Sequence, residues 1–380
     1  MRILHLCLSA SFVDGLSYQE NLLSQYHKKM GHEVNVISSL VNINDKGQYV
    51  LDAEAHEYVN EHGVSVSKLA YRLGNKLGKL LRVYKGTYAA IEKAAPDVIF
   101  VHGVQFMDMG ILVKYLKKHP QVKVFADNHA DFSNSATNWL SKNILHKIVW
   151  RSCAQRINPY VEKFYGVLPA RVDFLRDVYG LPEEKIELLV MGADDELVEK
   201  ASAAEVRAEI RKKYGIEEDD FLIINGGKID LFKKQTLLLM DAVNSIDDPK
   251  VKLIVFGSIV PELKEEINNR LSDRVKYIGW VKSDDSYNYF AASDLAVFPG
   301  RHSVFWEQVA GQGIPMICKR WVGTDHVNVN GNVLFLETDT AEEIKDAIGN
   351  VMDHYGEFKA AADKSRSTFA YGDIAKRSIE

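Results

Sequence analysis

Three places in this chain gather residues that can handle an anion or a proton. The first is Asn225-Gly226-Gly227-Lys228, with Lys233 and Lys234 shortly after it. Glycines let backbone approach a ligand, and lysines at a helix start add positive potential, so a diphosphate is the natural guest. A plain turn with solvated lysines explains the same residues. The second is the segment 299–315, PGRHSVFWEQVAGQGIP, with Glu307 at a loop–helix junction. A carboxylate there can accept hydrogen bonds from vicinal hydroxyls such as those of a ribose. It can also be a helix-start charge favoured by the dipole, and Trp306 beside it is the type of residue that fills a core. The third is Asp127-Asn128-His129-Ala130-Asp131, where a histidine lies two residues from an acid on each side. Such a histidine can bind or exchange a proton with a sugar hydroxyl, although a lone histidine is more often structural. His102-Gly103 is a further candidate of the same kind.

These residues fall at the ends of short apolar runs. In the first half the predicted strands are residues 3–8, 34–38, 98–102, 122–126 and 186–191. In the second half they are residues 221–225, 252–256, 275–278, 295–298, 316–318 and 333–336. Fully apolar strands alternating with helical patterns predict buried parallel sheets with helices on both faces. The pattern restarts after about residue 192, so the reading is of two such domains, and ligands in such sheets bind beyond the carboxyl ends of the strands. The first helix is expected to be capped by Ser17, with Glu20 three residues on. Leu22, Leu23, Tyr26 and Met30 would form its apolar face, and Gly31 would end it. A helix is also expected over 304–311 and another over 369–378.

Other chemistries lack their residues. The loop after the first strand holds one glycine, Gly15, where a dinucleotide fingerprint needs three. There is no Walker loop and no histidine pair at zinc-ligand spacing. The composition, 46% hydrophobic and 26% charged over 380 residues, is that of a globular chain. No apolar run reaches the roughly 18 residues of a membrane span. The N-terminus reads as a strand and not as a signal peptide, and Cys7, Cys153 and Cys318 are scattered, so a reducing cytoplasm is expected. The net charge of −5 divides into +4 over residues 1–190 and −9 over 191–380, which suggests an anionic partner for the first half. Nucleic acid is not expected as a partner. Residues 67–91 carry no acid. At helical spacing Leu69, Leu73, Leu77, Leu80, Leu81, Tyr84, Tyr88 and Ile91 share one face, opposite Lys68, Arg72, Lys76, Lys79 and Arg82. That is the pattern of a basic amphipathic helix suited to an anionic membrane surface. Such a face is more often simply solvated, and Gly74, Gly78 and Gly86 weaken a continuous helix.

Taken in order, these segments resemble the family 4 glycosyltransferases of the GT-B fold. The likeness runs through Met1-Arg2-Ile3-Leu4-His5 and Gly31-His32-Glu33-Val34-Asn35-Val36-Ile37, then residues 185–194 (KIELLVMGAD). It continues through Gly227-Lys228, Lys234, Asp241-Ala242 and Gly279-Trp280-Val281, to residues 293–299 and 307–315. The resemblance implies an α/β chain of two Rossmann-like domains whose parallel sheets face across a cleft. Residues 1–190 would form the acceptor side and 191–362 the nucleotide-sugar side, with 363–380 as a helix crossing back. It implies a retaining hexosyltransferase that uses a nucleotide diphosphate sugar, UDP or GDP, without metal or other cofactor. The acceptor would be a glycan or lipid-linked sugar in cell-surface polysaccharide or glycolipid synthesis, and the enzyme cytoplasmic or peripheral on the inner face of the membrane. It assigns catalysis to His129, Lys234 and Glu307. Donor binding goes to Gly15, Gly227, Lys228, Lys234, Trp280, Val281, His302, Ser303, Val304 and Glu307. One departure stands out: the family has two glutamates with seven residues between them before the signature helix, and here Pro299 stands where the first is expected, eight positions before Glu307. His302 and Ser303 are then expected to share the sugar-binding task. The missing glutamate also motivates a second reading, an inactive nucleotide-sugar-binding subunit. A third is another GT-B enzyme such as an epimerase.

Overall fold

A computed structural model describes residues 1–44 and 48–380. It separates into two compact units, Met1–Val190 together with Ala375–Glu380, and Met191–Ile374. The first unit contains strands β1 (Arg2–Cys7), β2 (Glu33–Ser39), β3 (Val41–Ile43), β4 (Tyr49–Leu51) and β5 (His56–Val59). It continues with β6 (Ser65–Leu69), β7 (Val98–His102), β8 (Lys123–Asn128), β9 (Lys163–Gly166) and β10 (Ile186–Leu188). Its sheet has the order β10-β9-β8-β7-β1-β2-β6-β5 and is parallel except for the edge strand β5. The second unit contains β11 (Phe221–Gly226), β12 (Val251–Phe256), β13 (Val275–Tyr277), β14 (Leu295–Phe298), β15 (Met316–Lys319) and β16 (Val333–Leu336). Its sheet is wholly parallel, in the order β13-β12-β11-β14-β15-β16.

The sequence explains these sheets. The central strands are fully buried: Ile3, Leu4 and Leu6 in β1, and Leu222, Ile223 and Ile224 in β11. Only helices on both faces can cover such strands, and helices require crossover connections, which make neighbouring strands parallel. In each sheet the order reverses beside the first strand, between β7 and β1 and between β11 and β14. Connections on the two sides of such a reversal leave toward opposite faces. A crevice therefore opens beyond the strand ends there.

Several expectations change. Residues 67–91 do not form one helix. Leu69 and Lys68 belong to β6, and two short helices follow, Gly74–Leu81 and Thr87–Ala94. Arg82 separates them in a left-handed conformation (φ 52°). Pairing with β2 wins over helical periodicity here because it buries Val66 and Leu69. Lys68 is buried as well, its ammonium donating to the carbonyls of Phe12 and Val41. Leu73, Leu77 and Leu80 are exposed. The first helix is Gln19–Lys29, starting beyond Ser17. Tyr18 is at its N-cap and makes no side-chain cap bond. Leu22, Leu23 and Tyr26 are buried as expected, but Met30 is 38% exposed. The last helix is Tyr371–Arg377, preceded by a single 3₁₀ turn, Arg366–Phe369.

The tightest backbone approach lies at the carboxyl ends of β11 and β12. Gly227 has φ 130° and Gly257 has φ 129°. A Cβ on Gly257 would fall 1.8 Å from the carbonyl oxygen of Gly227. Replacing Gly257 by alanine should therefore destabilise the protein by about 1–3 kcal/mol, since neither backbone can give way cheaply. Urea unfolding measures this. An unchanged midpoint would mean that the two strand ends are not packed as described.

Candidate active site

The second unit places the diphosphate candidates at the strand-order reversal. β11 ends in Asn225-Gly226, and Asn225 is held there by donating to the carbonyl of Val297 on β14 at 2.7 Å. A small cavity at these ends is lined by Gly227, Lys228, Lys233, Thr236, Arg301 and Ser303, among others. Lys228 is 63% exposed and 3.4 Å from Asp230. The following helix, Thr236–Asn244, begins after both lysines. Lys233 lines the cavity and Lys234 is exposed outside it. Burial pushes the Lys233 ammonium below its ordinary value, and Asp230 opposes this. Arg301 lies over the ring of Phe232, 4.9 Å from its centre. Its place in the lining was not foreseen, because nothing in the spacing sets it apart from other surface arginines.

Glu307 is not a solvated helix charge. It lies in the first turn of helix Phe305–Gly311, with Val304 at the N-cap, and is fully buried. Its Oε1 accepts from His302 Nε2 and from His326 Nε2, both at 2.8 Å. Burial disfavours its charge, but the two imidazoles more than compensate and bring its pKa down to about 2. Its Oε2 is buried and has no hydrogen-bond partner among the described residues. Trp306 is fully buried, in keeping with a core role. His326 was invisible in the sequence, where it stands 19 residues from Glu307 in an unremarkable stretch; a 3₁₀ turn, Asp325–Val327, brings it in. The three side chains form a cluster of the kind that can hold a cation. Both imidazoles, however, direct the same nitrogen at one carboxylate oxygen over hydrogen-bond distances. Trp280 is 71% exposed beside Gly279, and Val281 is partly buried.

In the first unit, His129 and Asp127 come together at the end of β8. His129 Nε2 is 3.3 Å from Asp127 Oδ2, and the His129 side chain is 36% exposed. Burial opposes a charge on His129, but the Asp127 carboxylate raises its pKa overall. Asp131 does not join this pair. It accepts from the backbone amides of Ser133 and Asn134 and from Arg171, and so fixes the loop that carries His129. His102 is fully buried and meets the same Asp127 oxygen at 3.0 Å. Gly15 lies in an exposed turn (φ 76°), and Asp14 before it accepts from Tyr58 and Asn60.

Two family models match this chain: Glycosyltransferase Family 4 over residues 14–197, and Glycosyl transferases group 1 over residues 220–354. The chain belongs to the family 4 glycosyltransferases, with the GT-B fold. Mannosylfructose-phosphate synthase of Agrobacterium fabrum (strain C58 / ATCC 33970) is 26% identical over 250 residues. That alignment covers 60% of this chain and 53% of the synthase, so the glycosyltransferase chain described here spans about half the length of that curated relative. A glycosyltransferase of Rickettsia africae ESF-5 has a similar structure (TM-score 0.69, 16% identity, 99% of this chain and 96% of that one). So does Anabaena HepE, solved in complex with UDP (TM-score 0.67, 17% identity, 99% and 98%).

The pairing of Glu307 sets a pH dependence for this glycosyltransferase. Its folded pKa lies below the value of about 4.3 expected when unfolded, so the stabilisation is complete above about pH 5 and is lost as pH falls toward 2. Glu307→Gln removes that titration. The stability difference between wild type and the variant should shrink by a few kcal/mol over this range in urea unfolding. A difference independent of pH would show that Glu307 is not held as an anion.

Proposed function

We propose that this glycosyltransferase moves a hexose from a nucleotide diphosphate sugar to an acceptor hydroxyl, with retention at the anomeric carbon and without a metal. The observation that carries this is Glu307 Oε2, an acceptor inside the protein with no partner among the described residues. A buried carboxylate oxygen needs a donor, and a ribose supplies two adjacent hydroxyls for its two lone pairs. The nearby glycine turn and cations suit the diphosphate that would follow the ribose. The relative solved with UDP supports a uridine nucleotide as the first to try.

In the reaction the bond from the anomeric carbon to the β-phosphate oxygen breaks and a bond from the acceptor oxygen forms. The acceptor proton leaves with the diphosphate. Lys228 and Lys234, with Lys233 and Arg301 in support, offset the charge that builds on that leaving group, as a divalent cation does elsewhere. Glu307 orients the ribose, and His302 and His326 orient Glu307. In the first unit His129 is assigned to the transferred sugar.

The acceptor is proposed to be a glycan or lipid-linked sugar of the cell surface, reached at an anionic membrane. Among the described residues no helix is long and apolar enough to cross a membrane. A peripheral surface has its own support. Leu73, Leu77 and Leu80 are exposed beside Lys76 and Lys79, and Trp139, Leu140 and Ile148 are exposed beside Lys142 and Lys147.

A nucleotide panel read by thermal shift tests the donor. At 100 times its Kd the right nucleotide stabilises the fold by about 2.7 kcal/mol, with EDTA present, and Glu307→Ala should abolish the shift. Glu307→Ala and Lys234→Ala should each lose transfer by about 10²-fold or more while staying folded. Full activity in either would sink that residue's assignment, and binding without transfer or donor hydrolysis would favour a binding subunit. For the membrane, vesicles of anionic lipid should sediment the protein and neutral vesicles should not. Leu77→Glu with Leu80→Glu should weaken that binding, and equal binding to both lipids would remove the surface from the model of action.

A further inference from the structure

The first unit contains a line of three buried histidines that the proposed reaction does not use. His5 on β1, His27 on helix Gln19–Lys29 and His102 on β7 are all fully buried, as is Asp127 on β8. The line begins at the carbonyl oxygen of Ala375, 2.9 Å from His27 Nε2. His27 Nδ1 meets His5 Nε2 at 3.0 Å, and His5 Nδ1 meets His102 Nε2 at 2.9 Å. His102 Nδ1 then meets Asp127 Oδ2 at 3.0 Å. Sheet register produces this row. His102 pairs with Asp127 and His5 with Phe100, two residues before His102, so all three polar side chains share one face.

The two ends of the row are both acceptors, and this fixes every proton between them. A carbonyl cannot donate, so His27 Nε2 carries a hydrogen. Ser378 Oγ, 3.2 Å from the same nitrogen, gives its own hydrogen to the Ala375 carbonyl at 2.8 Å and so does not reverse this. In a neutral ring the other nitrogen is then an acceptor. His5 must donate to His27, and His102 must donate to His5. That leaves His102 Nδ1 facing a carboxylate. Four links need four protons, and three neutral imidazoles supply three.

We infer that His102 holds the fourth proton as a buried imidazolium, and that this fixed charge offsets Asp127 and so limits its pull toward a charged His129 above it. An imidazole at about 6.5 is more basic than a carboxylic acid at about 3.9, so within the last link the ring takes the proton. Burial holds His27 down at about 4 and His5 well below its ordinary value, which leaves His102, beside the anion, to carry it. Other charged groups act on the row. Glu20 from the first helix acts on His102 and His129, Cys7 on β1 acts on Asp127, and Arg171 acts on His129. Burial pushes both Glu20 and Cys7 toward their protonated forms. The consequence rests on the assignment of His129 to the transferred sugar. Glycosyl transfer builds positive charge at the anomeric carbon, and a neutral imidazole tolerates that where a cation opposes it. His102, His5 and His27 are thus positioning residues, acting on the reaction through Asp127 and His129.

Nitrogen-15 spectra of histidine rings in the full-length protein test this directly. At pH 7 a buried ring should show two protonated nitrogens, and that signal should be missing in His102→Gln. His5 and His27 should each show one protonated and one bare nitrogen. A bare nitrogen on His102 at pH 7 in the wild type would overturn the inference, without the need for any variant. In His27→Phe the direction of the row is no longer fixed and His102 should lose its second proton. Asp127 would then act on His129 alone, and the acid limb of kcat/KM should move up by on the order of one pH unit. His102 doubly protonated in that variant would also overturn the inference. An unmoved limb with His102 neutral would instead remove His129 from the reaction and leave the wild-type proton count standing.

Discussion

A carboxylate taken out of water must be given partners or give up its charge, and each unit of this chain holds one such group at its candidate site. Asp127 and Glu307 are both fully buried at or just beyond a strand end. Each is met by two imidazoles: His102 and His129 for Asp127, His302 and His326 for Glu307. Removing one partner from a buried ion pair costs several kcal/mol, so these pairings constrain the loops and helices that carry the histidines. The loop after β14, the turn at residues 325–327 and the row behind β8 are all held by that requirement.

The sheets deliver the carboxylates to useful places. Reversal of strand order beside β1 and β11 opens the only kind of crevice a doubly wound sheet offers, and the strand-end residues are those already facing it. The two carboxylates do different work there. Glu307 spends one oxygen on its histidines and keeps the other, a donor-seeking site suited to hydroxyls. Asp127 is filled on both oxygens: Gly103 N–H donates to Oδ1, while His102 and His129 face Oδ2. In the proposed reaction one carboxylate therefore acts as a ligand for hydroxyls, while the other lies beneath a histidine.

This division gives the unusual loop before the signature helix a role. The expected first glutamate is absent and Pro299 stands in its place, while His302, expected to share in binding the sugar, has a further task. Its Nε2 is committed to Glu307. What the shortened loop loses in acidity it returns as support for the remaining acid. The exposed leucines and tryptophan with neighbouring lysines in the first unit bear on the proposed membrane contact alone.

The sequence alone determined the architecture, the strand ends and most of the chemistry-bearing residues. Runs such as 98–102 and 295–298 are apolar, short and flanked by turn residues, and no other fold buries so many of them. Local pattern also carried Glu307 and His129, because both follow such runs closely. Tertiary structure decided what depends on distant partners. Residues 65–69 became a strand because β2 lies beside them, against a helical spacing that looked as good. β9, a four-residue strand, left no periodic signal to read. His326 reached Glu307 across 19 positions, and His5, His27 and His102 came into line from three elements and a chain terminus. Periodicity reports which face of an element is buried. It says nothing of which buried polar group meets which, and that pairing is what sets the charge of each site in this protein.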